Sequence, residues 1–169
     1  PAWGGRGGRA WLKGEGVGGG ARLVREQARR FGQGGRVGRR GGATRPHDRY
    51  VLMLNASDEG CGGLEHRHRA ALICARRGLP RIGMQKATEG YTTLLGLIGH
   101  EYFHTWNVKR LRPAELTRYD YAQENYTRLL WFFEGFTSYY DDLLLRRANR
   151  SDDATYVKLL NKTANQVLQ

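Results

Sequence analysis

The sequence predicts an α+β fold: a short sheet first, helices after it, and a Gly/Arg-rich segment ahead of both that is expected to be disordered. Three observations carry this expectation. The first 48 residues hold 15 of the 24 glycines and 11 of the 28 Lys and Arg, against 3 of the 16 acidic residues. Short apolar runs bounded by polar turns follow. Longer stretches with apolar residues at helical spacing come last.

The segments "PAWGGRGGRAWLKGEGVGGG" and "GQGGRVGRRGGATRP" cannot bury enough apolar area to offset the entropy of ordering. They flank "ARLVREQARRFG", which has helical spacing at Leu23, Gln27 and Phe31. Residues 1–48 are therefore set apart from 49–169 as a separate, non-homologous or disordered region. From residue 49 the texture changes. "RYVLMLNA" reads as a buried strand between Asp48 and the polar loop "SDEGCGG". "HRAALICARR" fits a second strand or a short helix. "GYTTLLGLIGHEYFHTW" has the length and spacing of a buried helix, and "NYTRLLWFFEGFTSYYDDLLLRRA" of another, joined through Pro113. "SDDATYVKLLNKTANQVLQ" opens a third, with Ser151 as N-cap and acids in the first turn, the favourable sign for the helix dipole. It stops in mid-pattern at Gln169, and the chain opens on Pro rather than Met, so a piece of a longer protein is expected.

Charge and cysteine content narrow the class. The formal charge is +12, of which +8 falls in residues 1–48 and only +4 in the other 121. The basic region resembles RGG-type nucleic-acid tails, but with only Trp3, Trp11 and Phe31 as aromatics nucleic acid is not the expected partner. Cys61 and Cys74 make no disulfide framework and no CxxC pair, which leaves the redox compartment open. No apolar run approaches the roughly 18–20 residues of a membrane span, and no signal segment is visible; the compartment is left unassigned.

Chemistry concentrates in "GHEYFHTW". Two residues four apart on a helix share a face, so His100 and His104 can offer imidazole nitrogens to one cation. Glu101 lies about 100° round the helix, the general-base position of HExxH metallopeptidases. Three ionisable groups in an apolar helix would be costly without a partner. The candidate for a third ligand is Glu134, the sole acid between Asn125 and Tyr140. Ser138 and Asp141 share its face as acceptors for a ligating histidine. The alternative for Glu134 is an ion pair with an arginine such as Arg128. "GCGGLEH" taken alone reads as an ordinary turn.

Taken together, "GGLEH", "GLIGHEYFHTWNVKRLRPAEL" and "LLWFFEGFTSYYDDLLLRRA" resemble the glycyl aminopeptidase family of zinc metallopeptidases, a gluzincin family whose members typically carry a PDZ domain. The resemblance covers residues 49–169 closely and is patchy upstream. It implies a partial thermolysin-like catalytic domain, with Zn2+ held by His100, His104 and Glu134 and with Glu101 as catalytic base. It further implies that Glu65 binds the free α-amino group of a peptide substrate, beside Gly62 and Gly63, which let peptide backbone approach. Small N-terminal residues such as Gly or Ala would be the preferred substrates. The donor for the oxyanion is expected beyond Gln169, and the isolated chain is expected to bind zinc with weak turnover at most. Two other classes stand beside this one: an inactive zinc- or peptide-binding scaffold, and a basic nucleic-acid-binding protein.

Overall fold

The computed structural model describes residues 50–169; the Gly/Arg-rich segment, with its expected disorder, lies outside the described residues. The chain order is three strands, β1 (Val51–Ser57), β2 (Cys61–Glu65) and β3 (Arg69–Ala75), a 3-10 turn at Arg76–Gly78, and helices α1 (Glu89–Phe103), α2 (Leu130–Arg147) and α3 (Asp153–Val167), with a second 3-10 turn at Ala114–Leu116 before α2. This is the α+β arrangement that the sequence predicts, a small sheet followed by helices.

Sheet order is β1-β3-β2, with β1 parallel and β2 antiparallel to β3. The register sets Leu52 opposite Ala70 and Leu54 opposite Leu72, and these four side chains are buried on one face of the sheet. Helix α1 lies across that face with Leu94, Leu95 and Ile98, each no more than 2% exposed. Thr88 caps α1 by accepting from the Tyr91 amide at 3.2 Å. Where the 3-10 turn meets the start of α1, a Cβ on Gly78 would come within 3.0 Å of the Gly90 carbonyl, so the two backbones touch. Helix α2 packs on α1 through Leu145, which joins the same core.

Three expectations change here. "CGGLE", read from sequence as part of a loop, is the edge strand β2. The helix expected from Asn125 starts at Leu130, because Asn125 folds back on Asp120: its Oδ1 accepts from the Asp120 amide at 2.9 Å and its Nδ2 donates to the Asp120 carbonyl at 2.7 Å. The cap of α3 is Asp152, accepting from the Thr155 amide at 2.8 Å, rather than Ser151. "HRAALICARR", ambiguous in sequence, resolves into β3 and the 3-10 turn after it. Among the described residues no helix is long and apolar enough to cross a membrane.

Candidate metal centre

The centre forms where the C-terminal end of α1 crosses the middle of α2. His100 is in the last turn of α1, and His104 is its C-cap, still in right-handed helical conformation at φ −58° and ψ −14°. The four-residue spacing therefore survives the helix end, and the two imidazoles stand 4.8 Å apart, edge to face. Glu134 faces them from α2. Its Oε2 is 3.2 Å from His100 Nε2 and 3.6 Å from His104 Nε2, and ligand atoms of all three residues lie within 4.8 Å of one another.

What surrounds the imidazoles fixes which nitrogen each presents. His104 is 2% exposed, and its Nδ1 lies 3.1 Å from the Asn107 carbonyl, which can only accept; the proton is on Nδ1 and Nε2 is left for the centre. His100 has Nδ1 at 3.0 Å from Asp141 Oδ2, which again turns Nε2 inward. Asp141 is one of the two acceptors that the sequence suggests for this task, and Glu134 pairs with the histidines rather than with an arginine. Asn107 is held in turn from α2: its Nδ2 donates to the Phe133 carbonyl at 2.8 Å and to Thr137 Oγ1 at 3.1 Å.

Charge at the centre follows from this packing. Burial opposes a charge on His100, but hydrogen bonds to Asp141 and Glu134 outweigh it and push the imidazole up to about 10. Its bonds to the two histidines hold Glu134 down to about 2. Without a cation, then, the carboxylate and a protonated imidazole form an ion pair, and a metal entering the centre would release that proton. Glu101 behaves oppositely. It is 4% exposed, and burial pushes its carboxyl up to about 7 against the pull of the nearby histidines, with Glu65 and Glu134 adding to the rise. Among the described residues its Oε2 has no hydrogen-bond partner.

Strand β2 closes the other side of Glu101. A Cβ on Gly63 would fall 2.3 Å from Glu101 Oε1 and 2.4 Å from its Cδ, so this strand position has room for the carboxyl only because it is glycine. A Cβ on Gly62 would meet nothing closer than Ile73 at 3.9 Å. Glu65, one further step along the inner face, takes an ion pair from Lys109 at 2.8 Å. Lys109 follows Val108, a buried β-branched residue at φ +94°, a costly backbone position held by the 2.6 Å bond from its own amide to the Leu111 carbonyl. Nothing in the local pattern of Asn107, Val108 and Lys109 announces partners 26 to 44 residues away.

Two imidazole nitrogens and a carboxylate oxygen, mutually within 4.8 Å, are donors of the kind that a divalent metal such as zinc takes. Zn2+ takes four ligands at about 2.0–2.2 Å from imidazole nitrogen and carboxylate oxygen, which sets neighbouring ligand atoms roughly 3.3 Å apart in a tetrahedron. The two Nε2–Oε2 separations, 3.2 and 3.6 Å, bracket that value. Both imidazoles turn Nε2 inward, and His100 must give up its Nε2 proton before it can ligate.

Residues 93–169 match the family described as the M61 glycyl aminopeptidases. The crystal structure of an aminopeptidase N family protein from Idiomarina loihiensis is similar with a TM-score of 0.78 and 32% identity, over 95% of this chain and 27% of that one. The chain thus spans about a quarter of the length of that relative. No curated protein matches the sequence.

Proposed function

We propose that this chain, whose residues 93–169 match the M61 glycyl aminopeptidase family, is part of a zinc-dependent aminopeptidase acting on peptides with a free N-terminus. The observation that carries the reading is the convergence of His100 Nε2, His104 Nε2 and a carboxylate oxygen of Glu134, beside a buried Glu101 whose Oε2 has no hydrogen-bond partner among the described residues.

His100, His104 and Glu134 would hold the ion. When bound, zinc supplies Lewis acidity towards a scissile carbonyl and lowers the pKa of water. The remaining steps belong to the chain's own side chains. Glu101, a carboxyl near neutrality with one oxygen free, takes the proton of the attacking water and returns it to the leaving amine. Asp141 and the Asn107 carbonyl keep the imidazoles turned inward through the cycle. Glu65 accepts a charge-assisted hydrogen bond from the substrate ammonium, sharing its carboxylate with Lys109. Gly62 leaves the outer side of β2 open. A preference for glycine or alanine at the substrate N-terminus comes from the family alone.

The test is hydrolysis of glycyl and alanyl chromogenic amides by zinc-loaded chain, beside Glu101→Gln. Turnover that falls roughly a hundredfold or more in a variant that keeps its zinc supports the reading. Equal turnover in both overturns it. Because the chain spans only 27% of its structural relative, zinc bound without turnover in either protein would favour the second reading, a zinc- or peptide-binding scaffold.

A further inference from the structure

The two cysteines, 13 positions apart in the sequence, stand directly opposite each other in the sheet: the register of β2 and β3 sets Cys61 against Cys74. At the hairpin end, the His66 amide donates to the Arg69 carbonyl at 2.8 Å, which makes 66 and 69 a hydrogen-bonded pair. Antiparallel pairs alternate, so Glu65 and Ala70, Gly63 and Leu72, and Cys61 and Cys74 are the non-hydrogen-bonded ones. In such pairs the Cα atoms approach to about 4.5 Å with side chains on one face, inside the ~4.4–6.8 Å window of disulfides. Cys74 is buried and Cys61 exposed, and both line one recess of about 320 Å³ together with Arg77, Gly90 and Thr93.

We infer that Cys61 and Cys74 are a redox-active pair that closes into an intramolecular disulfide and staples edge strand β2 to β3. With a small-molecule disulfide as oxidant, the exposed Cys61 thiolate attacks one sulfur of the reagent and displaces its first thiolate. Cys74 then loses its proton, its sulfur attacks Cys61 Sγ, and the second reagent thiolate leaves as the protein S–S bond forms. Two electrons pass from the protein sulfurs to the reagent, and two protons are released. Burial pushes the Cys74 thiol up, with the Cys61 sulfur adding to the rise, which assigns first attack to Cys61 and resolution to Cys74.

The staple acts on a strand that matters. β2 is bonded on one side only, and it carries Gly63 against Glu101 and Glu65 against Lys109. Closing the bond fixes that strand two residues from Gly63. The disulfide itself does not rest on the peptidase reading.

The experiment treats the folded full chain with oxidised glutathione, quenches with acid, labels remaining thiols and maps the peptides. The expected result is loss of both thiols together in a monomer, with a peptide pair joined through Cys61 and Cys74 that dithiothreitol releases. Amide exchange at Leu64, in the hydrogen-bonded pair between Gly63 and Glu65, should slow about tenfold on oxidation. In Cys61→Ser, an exposed position that leaves the fold intact, Cys74 should stay unmodified until the chain is unfolded. A stable glutathione adduct on Cys61 with Cys74 still a thiol, or disulfides only between chains, would overturn the inference.

Discussion

Replacing Gly63 with alanine tests how β2 and α1 share the space around Glu101. The new Cβ would lie 2.3, 2.4 and 2.6 Å from Glu101 Oε1, Cδ and Cγ, where ordinary contact is 3.4–4 Å. Three consecutive atoms are in the way, so a small tilt of the carboxylate does not relieve the clash; the side chain has to change rotamer or the strand has to move by about 1 Å. With Glu101 only 4% exposed, either response disturbs the core, at a cost of about 1–3 kcal/mol. Gly62→Ala is the matched control, since its Cβ meets only Ile73 at 3.9 Å. It should unfold within about 0.5 kcal/mol of wild type. Urea unfolding of the pair gives the stabilities, and elemental analysis gives the zinc. We expect Gly63→Ala to retain zinc, because no ligand is touched, and to lose about a hundredfold in any turnover, the effect of misplacing a catalytic group by 1 Å. If Gly63→Ala matches Gly62→Ala in both stability and turnover, the packing of Glu101 against β2 is wrong.

Two further substitutions probe the surroundings of the centre. Asp141→Asn removes the carboxylate 3.0 Å from His100 Nδ1 and should weaken zinc binding about 10–100-fold in a competitive chelator titration, with the fold retained; unchanged affinity would detach Asp141 from the centre. Asp142 is raised from 3.8 to about 6 by burial and by Asp141, against the pull of Lys162. An acid whose folded pKa is raised favours folding below its unfolded value, and that advantage is lost as pH rises through 6. Asp142→Asn should therefore gain stability over wild type, more at pH 8 than at pH 5, on the order of 1 kcal/mol once solvent screening of a half-buried group is allowed for. A gain independent of pH in urea unfolding would rule out this origin.

The sequence exposes local chemistry well and distant contacts poorly. His100, Glu101 and His104 are legible because helical spacing alone brings them together, and Glu134 because an isolated acid in "LLWFFEGFTSYY" calls for a partner. Strand β2 is not legible: Gly62 and Gly63 have no strand propensity, and the segment is a strand because β3 pairs with it and Glu101 fills the space beside Gly63. The start of α2 is misjudged because apolar periodicity runs on through Leu129, while the Asp120–Asn125 bonds end the loop later than the pattern suggests. The ion pair between Lys109 and Glu65, and the bonds from Asn107 to α2, join residues far apart in the chain. Only the folded arrangement of Val108, at φ +94°, aims them.

Zinc content of the purified wild-type chain, beside His104→Ala and Glu134→Ala each shown to be folded, tests directly whether His100, His104 and Glu134 hold a metal. We expect about one zinc per wild-type chain, lost in both variants, and at a hundredfold excess of zinc over its dissociation constant a stabilisation of about 2.7 kcal/mol seen in wild type alone. A folded wild-type chain that takes up no zinc, or variants that hold it as firmly, would contradict the assignment of His100, His104 and Glu134 as a metal centre.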